Sequence, residues 1–324
     1  MPSSPLEPQR ATRPYPRVEL CDDYFLEAYL GWDVAARGAS WKIWRRAARG
    51  LTRGLVVSEG ATPAELAAAL DAAPPPWLGA TIWNDFSAEA DAPDVVRLGR
   101  RRFVRSRGAG RWFGAGTYVL DLSADDDTLL ARALQSVRSN VRSTRRAGFA
   151  TQLAERPSPS AVAIFAVRHN TMARERALAP ISVETLSRMF ADRRAVLATA
   201  VDPEGVARAW NVIYLTSTHG YYLHGVHDAS VREVAGRQLH MDTAAFLRES
   251  GRRWYDLGLV GSAERQEGIH FFKRSLGGVF LPSGVERVAT PGALEPAVRG
   301  LQRLRDLVRR SRSLRDAPQA SRRP

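Results

Sequence analysis

The sequence predicts an α+β protein built from two similar units in tandem. Strand and helix segments alternate through both halves of the 324-residue chain, and each half places them around a central group of strands. No G-x-G-x-x-G turn opens a helix, and no G-x-x-x-x-G-K-[ST] loop occurs. Both absences argue against a doubly wound parallel sheet with a nucleotide site.

The first half begins with a Pro-rich, polar segment, residues 1–16, which we expect to be disordered. In "TPAELAAALDAA", Thr62 is placed to cap a helix, Pro63 lies in its first turn and Glu65 completes a capping box. The stretch "SADDDTLLARALQSVRSNVRSTRRAGF" predicts one long helix capped by Ser123 and ended by Gly148. A further helix and four strands are predicted in "YFLEAYLGW" and in "RGLVVSEG", "WLGATIWNDF", "RRRFVRSR" and "GTYVLDLS".

The second half starts with the strand "TQLAE" and two helices, "SPSAVAIFAVRHNTMARER" and "SVETLSRMFADR". Three strands follow, joined by Pro-Glu-Gly and Thr-His-Gly turns. The rest predicts the helix "AGRQLHMDTAAFLRESG", the strand "RWYDLGLV", a helix or loop in "EGIHFFKRSLGG", the strand "VFLPSGVERVA" and the basic helix "LEPAVRGLQRLRDLVRRSRSLR".

Composition limits the class of protein. No run of 18 apolar residues occurs, so we expect no membrane span, and the N-terminus lacks the apolar core of a secretory signal. The single cysteine, Cys21, excludes an internal disulfide, and together these features favour the cytoplasm. The net charge of +13 indicates a polyanionic partner: nucleic acid, anionic membrane or a phosphorylated substrate. Excess arginine on solvated faces, typical of GC-rich genomes, is the alternative.

The order of several motifs resembles the FemAB (Fem-type) aminoacyltransferases of the GNAT superfamily. The motifs are "RSNVRSTRRAGF", "HNTMARERAL", "YYLHGVHD", "LHMDTAAFLRESGRRWYDLG" and "GIHFFKRSLGG", and the likeness covers about residues 50 to 290. It implies two tandem GNAT-like domains with mixed, largely antiparallel sheets. The expected domains are 17–150, ending in a basic linker helix, and 151–290, which is catalytic. A basic helix at 291–315, packing on the first domain, and a disordered tail at 316–324 complete the chain.

The resemblance also implies a reaction. Members of this family transfer an aminoacyl group from aminoacyl-tRNA to an amine in a peptidoglycan precursor or a natural-product intermediate. We therefore expect charged tRNA as donor, no tightly bound cofactor, no DNA partner, and a monomer or weak dimer. The sequence shows no long helical arm, which favours a small-molecule acceptor slightly. The sequence names neither the amino acid nor the acceptor.

Lys273 is the first candidate for catalysis. Of 47 Lys plus Arg residues, only Lys42 and Lys273 are lysines, so a lysine between aromatic and glycine pairs is a selective choice. Aminolysis of an ester passes through an oxyanion, and one positioned donor there stabilises it by roughly 3–4 kcal/mol. A compact ammonium fits one oxygen better than the broad guanidinium does. The resemblance also places a functional lysine here; the alternative is a surface lysine with a buried stem.

One histidine and one tyrosine are candidates for orienting or deprotonating the acceptor amine. His224 and Tyr222 are two residues apart on a predicted strand, so they share a face and could orient or deprotonate the amine. A half-buried structural histidine is an equal alternative. His224 and His227 do not converge as metal ligands on a strand, and we expect no metal. Other residues are expected to line the substrate site: Phe272, Asp256 (with a scaffold role favoured), Asn211, Trp210, Arg174 and Arg176.

Arginines form a candidate phosphate track on the linker helix. Arg138, Arg142, Arg145 and Arg146 are spaced to share one face, and a solvated face is an equal alternative. Arginines of the C-terminal helix could extend the track or form a surface-binding tail: Arg299, Arg303, Arg305, Arg309, Arg310 and Arg312.

Two other functions compete with this reading. A CoA-dependent GNAT acyltransferase using acetyl-CoA or another acyl-CoA would carry an R/Q-x-x-G-x-G/A turn at a helix N-terminus. Residues 232–237 depart from that pattern, because Ala235 takes the place of the first glycine and Arg237 that of the last small residue. A non-catalytic protein that binds RNA or an anionic surface is the second alternative. The sequence contains neither a G-x-S-x-G nucleophile elbow nor a Cys/His pair, so it gives no support to covalent catalysis.

Overall fold

The computed structural model describes residues 22–39, 41–48, 51–58, 62–72, 77–84, 95–98, 101–105, 115–176, 178–228, 232–261, 263–282 and 286–289. The chain forms two compact units, each with its own seven-stranded sheet.

The smaller unit contains a mixed sheet with the strand order β1-β2-β3-β4-β14-β6-β5. Among the described strands of this sheet only β3 and β4 are parallel, and α2 (Pro63–Ala72) connects them. Thr62 and Glu65 form the predicted capping box, with each backbone N–H donating to the other side chain. The strands are β1 (Asp33–Arg37), β2 (Trp41–Ala48), β3 (Leu51–Ser58), β4 (Trp77–Asn84), β5 (Val95–Leu98), β6 (Arg101–Arg105) and β14 (Glu286–Ala289).

The larger unit contains the second sheet, with the order β13-β7-β12-β11-β10-β9-β8. Its strands are β7 (Gly116–Asp121), β8 (Ala150–Ala154), β9 (Ala195–Val201), β10 (Ala207–Leu215), β11 (His219–His227), β12 (Trp254–Val260) and β13 (Val279–Pro282). Its helices are α1 (Phe25–Tyr29, a π-type turn), α3 (Asp126–Arg132), α4 (Gln135–Arg146), α5 (Pro159–Glu175), α6 (Val183–Ala191), α7 (Arg232–Glu249) and α8 (Ala263–Ser275).

Two hydrophobic cores cover the two faces of this sheet. Alternate residues of β10 enter different cores, because successive side chains of a strand point to opposite faces. Ile213 packs with residues of α3, α4 and α7, whereas Val212 packs with residues of α1, α5 and α6. The structure therefore confirms the α+β class and the two tandem units with mixed, largely antiparallel sheets.

The boundary between the units differs from the predicted one at residue 150. Strand β7 pairs with β12 and β13, so it belongs to the same sheet as the second half of the chain. The basic linker helix follows β7 into that unit, since Val137 and Val141 are buried in its core. The predicted strand "VFLPSGVERVA" is in fact two strands, β13 and β14, in different sheets. The sheet to which each of these strands belongs depends on pairing with strands that are distant in sequence, and local sequence patterns do not predict such pairing.

The predicted long helix is interrupted. Helix α3 is capped by Asp125, whose carboxylate accepts from the Thr128 N–H at 2.8 Å, and not by Ser123. Ala133 is extended, so α4 begins anew at Gln135. The Arg138 guanidinium donates to the carbonyl oxygens of Ala131 and Ala133, which would otherwise lack partners at the break. Gly148, at φ 81°, follows the end of α4, as predicted.

Candidate active site

The parallel strands β11 and β12 separate along their length. Three residue pairs join them, from His219 with Trp254 to Tyr221 with Asp256. Both strands are described in full, and no later pair connects them, although β11 continues to His227 and β12 to Val260. Each strand remains paired with its outer neighbour, β10 or β7. The sheet therefore opens into a wedge, which we call the fork.

A bulge in β12 shapes one side of the fork. The register between β12 and β7 shifts between Asp256 and Leu259, and Gly258 has φ 84°. The Asp256 carboxylate accepts from the Gly258 N–H at 2.7 Å and from the Thr117 hydroxyl group. A Cβ atom at Gly258 would lie 2.8 Å from the Tyr222 carbonyl oxygen. Asp256 thus holds the bulge in place and lies beneath the fork.

Lys273 of α8 reaches this bulge. Its side chain is buried, with 7% exposure, and its ammonium donates to the carbonyl oxygens of Gly258 at 2.7 Å and Leu259 at 3.1 Å. Burying an ammonium is unfavourable unless hydrogen bonds compensate, and these carbonyl groups provide that compensation. The bulge therefore fixes a positive charge beside the fork.

Aromatic side chains pack around His240, whose ring is close enough to Lys273 for the charge of the ammonium to affect its pKa. The Tyr222 ring lies 4.9 Å from the His240 ring, and the Phe272 ring lies 5.5 Å from it. His240 Nδ1 is 2.7 Å from the hydroxyl group of Tyr255. Burial is the main cause that lowers the pKa of His240 to about 3, and the charges of His227 and Lys273 contribute to the same shift. His240 is therefore neutral, and Tyr222, whose pKa burial raises to about 12, is protonated.

His240 was not among the predicted site residues. It lies in "LHMD", within one of the motifs that resemble the FemAB family, but helical spacing alone does not indicate that this residue faces Tyr222.

The expected pairing of Tyr222 with His224 is wrong. The register between β10 and β11 shifts at Leu223, so Tyr222 opposes Ile213 and His224 opposes Val212 on the other face. His224 Nε2 lies 2.6 Å from the Tyr29 hydroxyl oxygen, and its ring is 4.7 Å from that of His169. Burial lowers the pKa of His224 to about 3. A bulge adds one residue, and alternation along a strand cannot predict it.

Asn211 lies on the same face of the sheet as Tyr222. It is fully buried on β10, opposite Gly225, and neither its amide nitrogen nor its amide oxygen has a hydrogen-bond partner among the described residues. A Cβ atom at Gly225 would collide with the Tyr222 hydroxyl oxygen and lie 2.7 Å from Asn211 Oδ1. The missing side chain of Gly225 thus brings two polar groups together near the fork. The neighbouring Trp210 packs in the opposite core, with the Arg168 guanidinium 4.7 Å from its ring.

Arg174 and Arg176 lie at the exposed end of α5. The Arg174 guanidinium is 3.3 Å from the hydroxyl oxygen of Thr171 in its own helix. The charge of Arg176 partly opposes the rise in the pKa of Tyr222.

The arginines of α4 divide into two groups. Arg145 forms an ion pair with Asp242 of α7 at 2.6 Å. The other predicted arginines line a groove of about 410 Å³, formed by Gln135, Arg138, Ser139, Arg142 and Arg146. The C-terminal arginines, including Arg303, Arg309 and Arg310, lie outside the described residues.

Helix α7 begins shortly after β11 ends, at Arg232. Ala235 is fully buried, and a Cβ atom at Gly236 would lie 3.1 Å from the His227 ring. Within the described residues, no group of three potential metal-binding side chains is present. None of the described helices has the length and apolarity needed to cross a membrane.

Comparison with solved structures identifies the fold. A structure of FemX superposes with a TM-score of 0.60 at 13% identity, covering 84% of this chain and 91% of that chain. The C-terminal domain of a putative lysylphosphatidylglycerol synthetase from Agrobacterium fabrum superposes with a TM-score of 0.52 at 14% identity, covering 81% of this chain and 85% of that chain. The chain therefore shares the fold of the FemX structure. A tandem GNAT protein from the clavulanic acid biosynthesis pathway superposes with a TM-score of 0.43 at 16% identity, covering 78% of this chain and 81% of that chain.

No known sequence-family profile matches the chain, and no curated protein matches it significantly.

Proposed function

We propose that this protein transfers an aminoacyl group from aminoacyl-tRNA to an acceptor amine. The observation that carries the proposal is the buried ammonium of Lys273, held by two backbone carbonyl groups beside the fork. A fixed positive charge in a site of low dielectric stabilises charge that develops during a reaction, without reorganisation of solvent. The Fem-type fold supports acyl transfer as the reaction class.

The chemistry requires one bond exchange. The amine nitrogen attacks the ester carbonyl carbon, and the carbonyl oxygen becomes an oxyanion, which the Lys273 ammonium stabilises. The C–N bond then remains while the C–O bond to the tRNA ribose breaks. One proton leaves the amine, and the released ribose oxygen gains a proton. Tyr222, which is protonated and on the same face as Lys273, is placed to hydrogen-bond the reacting groups.

An acyl-CoA donor is the second candidate. A helix N-terminus favours phosphate groups, and α7 begins soon after β11, which borders the fork. The sequence of residues 232–237 departs from the usual CoA pattern, while the net charge of +13 favours a polyanion such as tRNA. These two features support aminoacyl-tRNA as the donor.

The test compares Lys273→Ala with Arg274→Ala in a transfer assay. Purified full-length protein receives radiolabelled aminoacyl-tRNAs and a panel of amines, and the labelled amide product is measured. We expect Lys273→Ala to lower kcat roughly 100- to 1,000-fold with little change in tRNA affinity. Arg274 is exposed on the same helix, so its loss removes equal charge and should leave kcat nearly unchanged. Lys273→Arg should not restore the rate, because a guanidinium is broader than an ammonium.

Donor binding is measured beside this assay. We expect affinity for charged tRNA that falls steeply with salt, and no saturable binding of acetyl-CoA. Saturable binding of acetyl-CoA, with transfer from it, would replace the tRNA proposal by an acyl-CoA-dependent one. Normal kcat in a folded Lys273→Ala protein would remove the proposed oxyanion role. Binding of RNA without transfer from either donor would favour a non-catalytic protein.

A further inference from the structure

The groove on α4 is a concentrated positive surface of the larger unit. Arg138, Arg142 and Arg146 recur every four residues, so they lie on one side of the helix, and Ser139 and Gln135 add uncharged donors. Arg142 and Arg146 are exposed, and Arg138 is partly exposed. Like charges four residues apart each destabilise a helix by a few tenths of a kcal/mol. An anion bound in the groove would offset this repulsion.

The three arginines of the groove differ from Arg145 in whether a carboxylate lies within ion-pair distance. In the part of the chain that the structure describes, no carboxylate pairs with Arg138, Arg142 or Arg146. Arg138 is anchored by the carbonyl oxygens of Ala131 and Ala133, which orient its guanidinium without neutralising the charge. Arg145 is neutralised by Asp242. Helix α4 therefore carries a row of three arginines with no carboxylate partner among the described residues, and one arginine, Arg145, that is paired with a carboxylate.

We infer that this groove binds the phosphodiester backbone of a single RNA strand. Its identification with tRNA rests on the proposed function, but RNA binding itself does not. Eight residues separate Arg138 from Arg146, so the row extends about 12 Å along the helix axis. In a DNA double helix each strand places one phosphate roughly every 3.4 Å of the helix axis, so a row of this length spans several successive phosphates of one strand. A nucleoside diphosphate, whose two phosphate groups share an oxygen, would leave part of the row unused.

The side chains in the groove also match backbone contact and not base recognition. Arginine, serine and glutamine donate hydrogen bonds to phosphate oxygens, and such contacts position a nucleic acid without reading its sequence. We therefore expect the groove to bind RNA strongly but with little sequence preference.

The experiment measures binding of full-length protein to a fluorescently labelled RNA oligonucleotide and to uncharged tRNA at several salt concentrations. The test variant is Arg142→Ala/Arg146→Ala. The control is Arg145→Ala/Arg156→Ala, which removes the same two charges; Arg145 is paired with Asp242, and Arg156 is exposed beyond β8. Both variants are checked for thermal unfolding, so that loss of fold is not mistaken for loss of binding.

We expect the test variant to raise the Kd for RNA about tenfold or more. Its log Kd against log salt plot should lose roughly 1.4 units of slope, about 0.7 for each phosphate contact to a single strand. The control should lose less than half of that slope. Equal losses in both variants would overturn the inference, because diffuse net charge would then explain binding. Competition by a nucleoside diphosphate at micromolar concentration, lost in the test variant, would assign the groove to a small phosphorylated acceptor instead.

Catalysis is separated from this site by Lys273→Ala, which should bind RNA as the unmodified protein does. If the groove variant alone loses RNA and no protein transfers an aminoacyl group, the groove inference stands and the proposed function fails. If transfer from aminoacyl-tRNA occurs and the groove variant keeps both RNA binding and activity, the proposed function stands and the groove inference fails.

Discussion

At the scale of single residues, the larger unit treats buried polar groups in two ways. The Lys273 ammonium, the Asp256 carboxylate and the Thr117 hydroxyl group meet hydrogen-bonding partners around the bulge of β12. Asn211, one strand beyond β11, is as deeply buried and has no such partner among the described residues. An unsatisfied buried amide costs about 1–3 kcal/mol. Such a cost is expected where a group is reserved for a ligand.

Asn211→Leu should therefore stabilise the protein while impairing its activity. Leucine has nearly the same size and removes both unsatisfied atoms, so we expect the free energy of unfolding to rise by about 1 kcal/mol. Urea unfolding measures the change in the free energy of unfolding, and the aminoacyl transfer assay measures the loss of activity.

The matched control is Asn170→Leu. The Asn170 amide donates to the Ile181 carbonyl oxygen at 3.0 Å and accepts from its N–H at 2.8 Å. Its replacement should destabilise the protein by about 2 kcal/mol, because two backbone groups lose their partner. A comparable destabilisation by Asn211→Leu would mean that the Asn211 amide is satisfied in solution.

At the scale of secondary-structure elements, local signals predicted what they control. The capping box at Thr62 and Glu65 and the end of α4 at Gly148 follow the sequence, since capping involves residues only a few positions apart. The bulge at Leu223 and the break at Ala133 were not predicted. At the break, the Leu134 N–H donates to the Ser275 carbonyl oxygen, which lies far along the chain. At the bulge, two residue pairs of the β10–β11 hairpin shift register, and the alternation within either strand does not indicate this shift.

The candidate site shows the same limit. Residue choice and motif order identified Lys273 and Tyr222, which the structure brings to one face of the sheet near Gly258. The face of His224 depended on a bulge, and the partner of Arg145 depended on the packing of α4 against α7. Neither could be obtained from spacing along the chain.

The bulge in β12 predicts the effect of Gly258→Ala. At φ 84° a Cβ atom is strained, and here it would also lie 2.8 Å from the Tyr222 carbonyl oxygen, so the fork must shift. We expect a loss of about 3 kcal/mol or more in the free energy of unfolding, together with loss of transfer activity. Urea unfolding and the transfer assay measure the two effects.

Gly205 provides the control for backbone strain. It has φ 80°, but a Cβ atom there would meet nothing within 4 Å. Gly205→Ala should therefore cost only about 1–2 kcal/mol and leave activity intact. If the two alanine variants lost equal stability and activity, contact across the fork would have no role.

At the scale of the whole molecule, the titratable groups are unevenly distributed. All six histidines fall between residues 169 and 270, in the larger unit that contains Lys273. Burial lowers the pKa of four of them: His219 to about 4, His224 and His240 to about 3, and His169 in the same direction. In the unfolded chain a histidine titrates near pH 6.5. The folded protein therefore binds fewer protons than the unfolded chain at mildly acidic pH.

This difference predicts loss of stability as pH falls from about 6.5, before carboxylates begin to titrate near pH 4. The unfolded state binds more protons in that window, so the free energy of unfolding rises with pH and decreases on acidification. Each such histidine contributes up to about 1.4 kcal/mol per pH unit. Urea unfolding between pH 7.5 and pH 5 should therefore give a slope that exceeds the contribution of one proton.

His224→Gln tests the origin of that slope. Glutamine does not titrate and its amide oxygen accepts a hydrogen bond, so the contact with the Tyr29 hydroxyl group can be retained. The slope should decrease by about one proton, or about 1.4 kcal/mol per pH unit near pH 5, whatever stability the variant has at pH 7.5. An unchanged slope would show that His224 accepts a proton in the folded state as readily as in the unfolded chain. The buried contact with Tyr29 and His169 would then have to open below pH 6.5 without unfolding the larger unit.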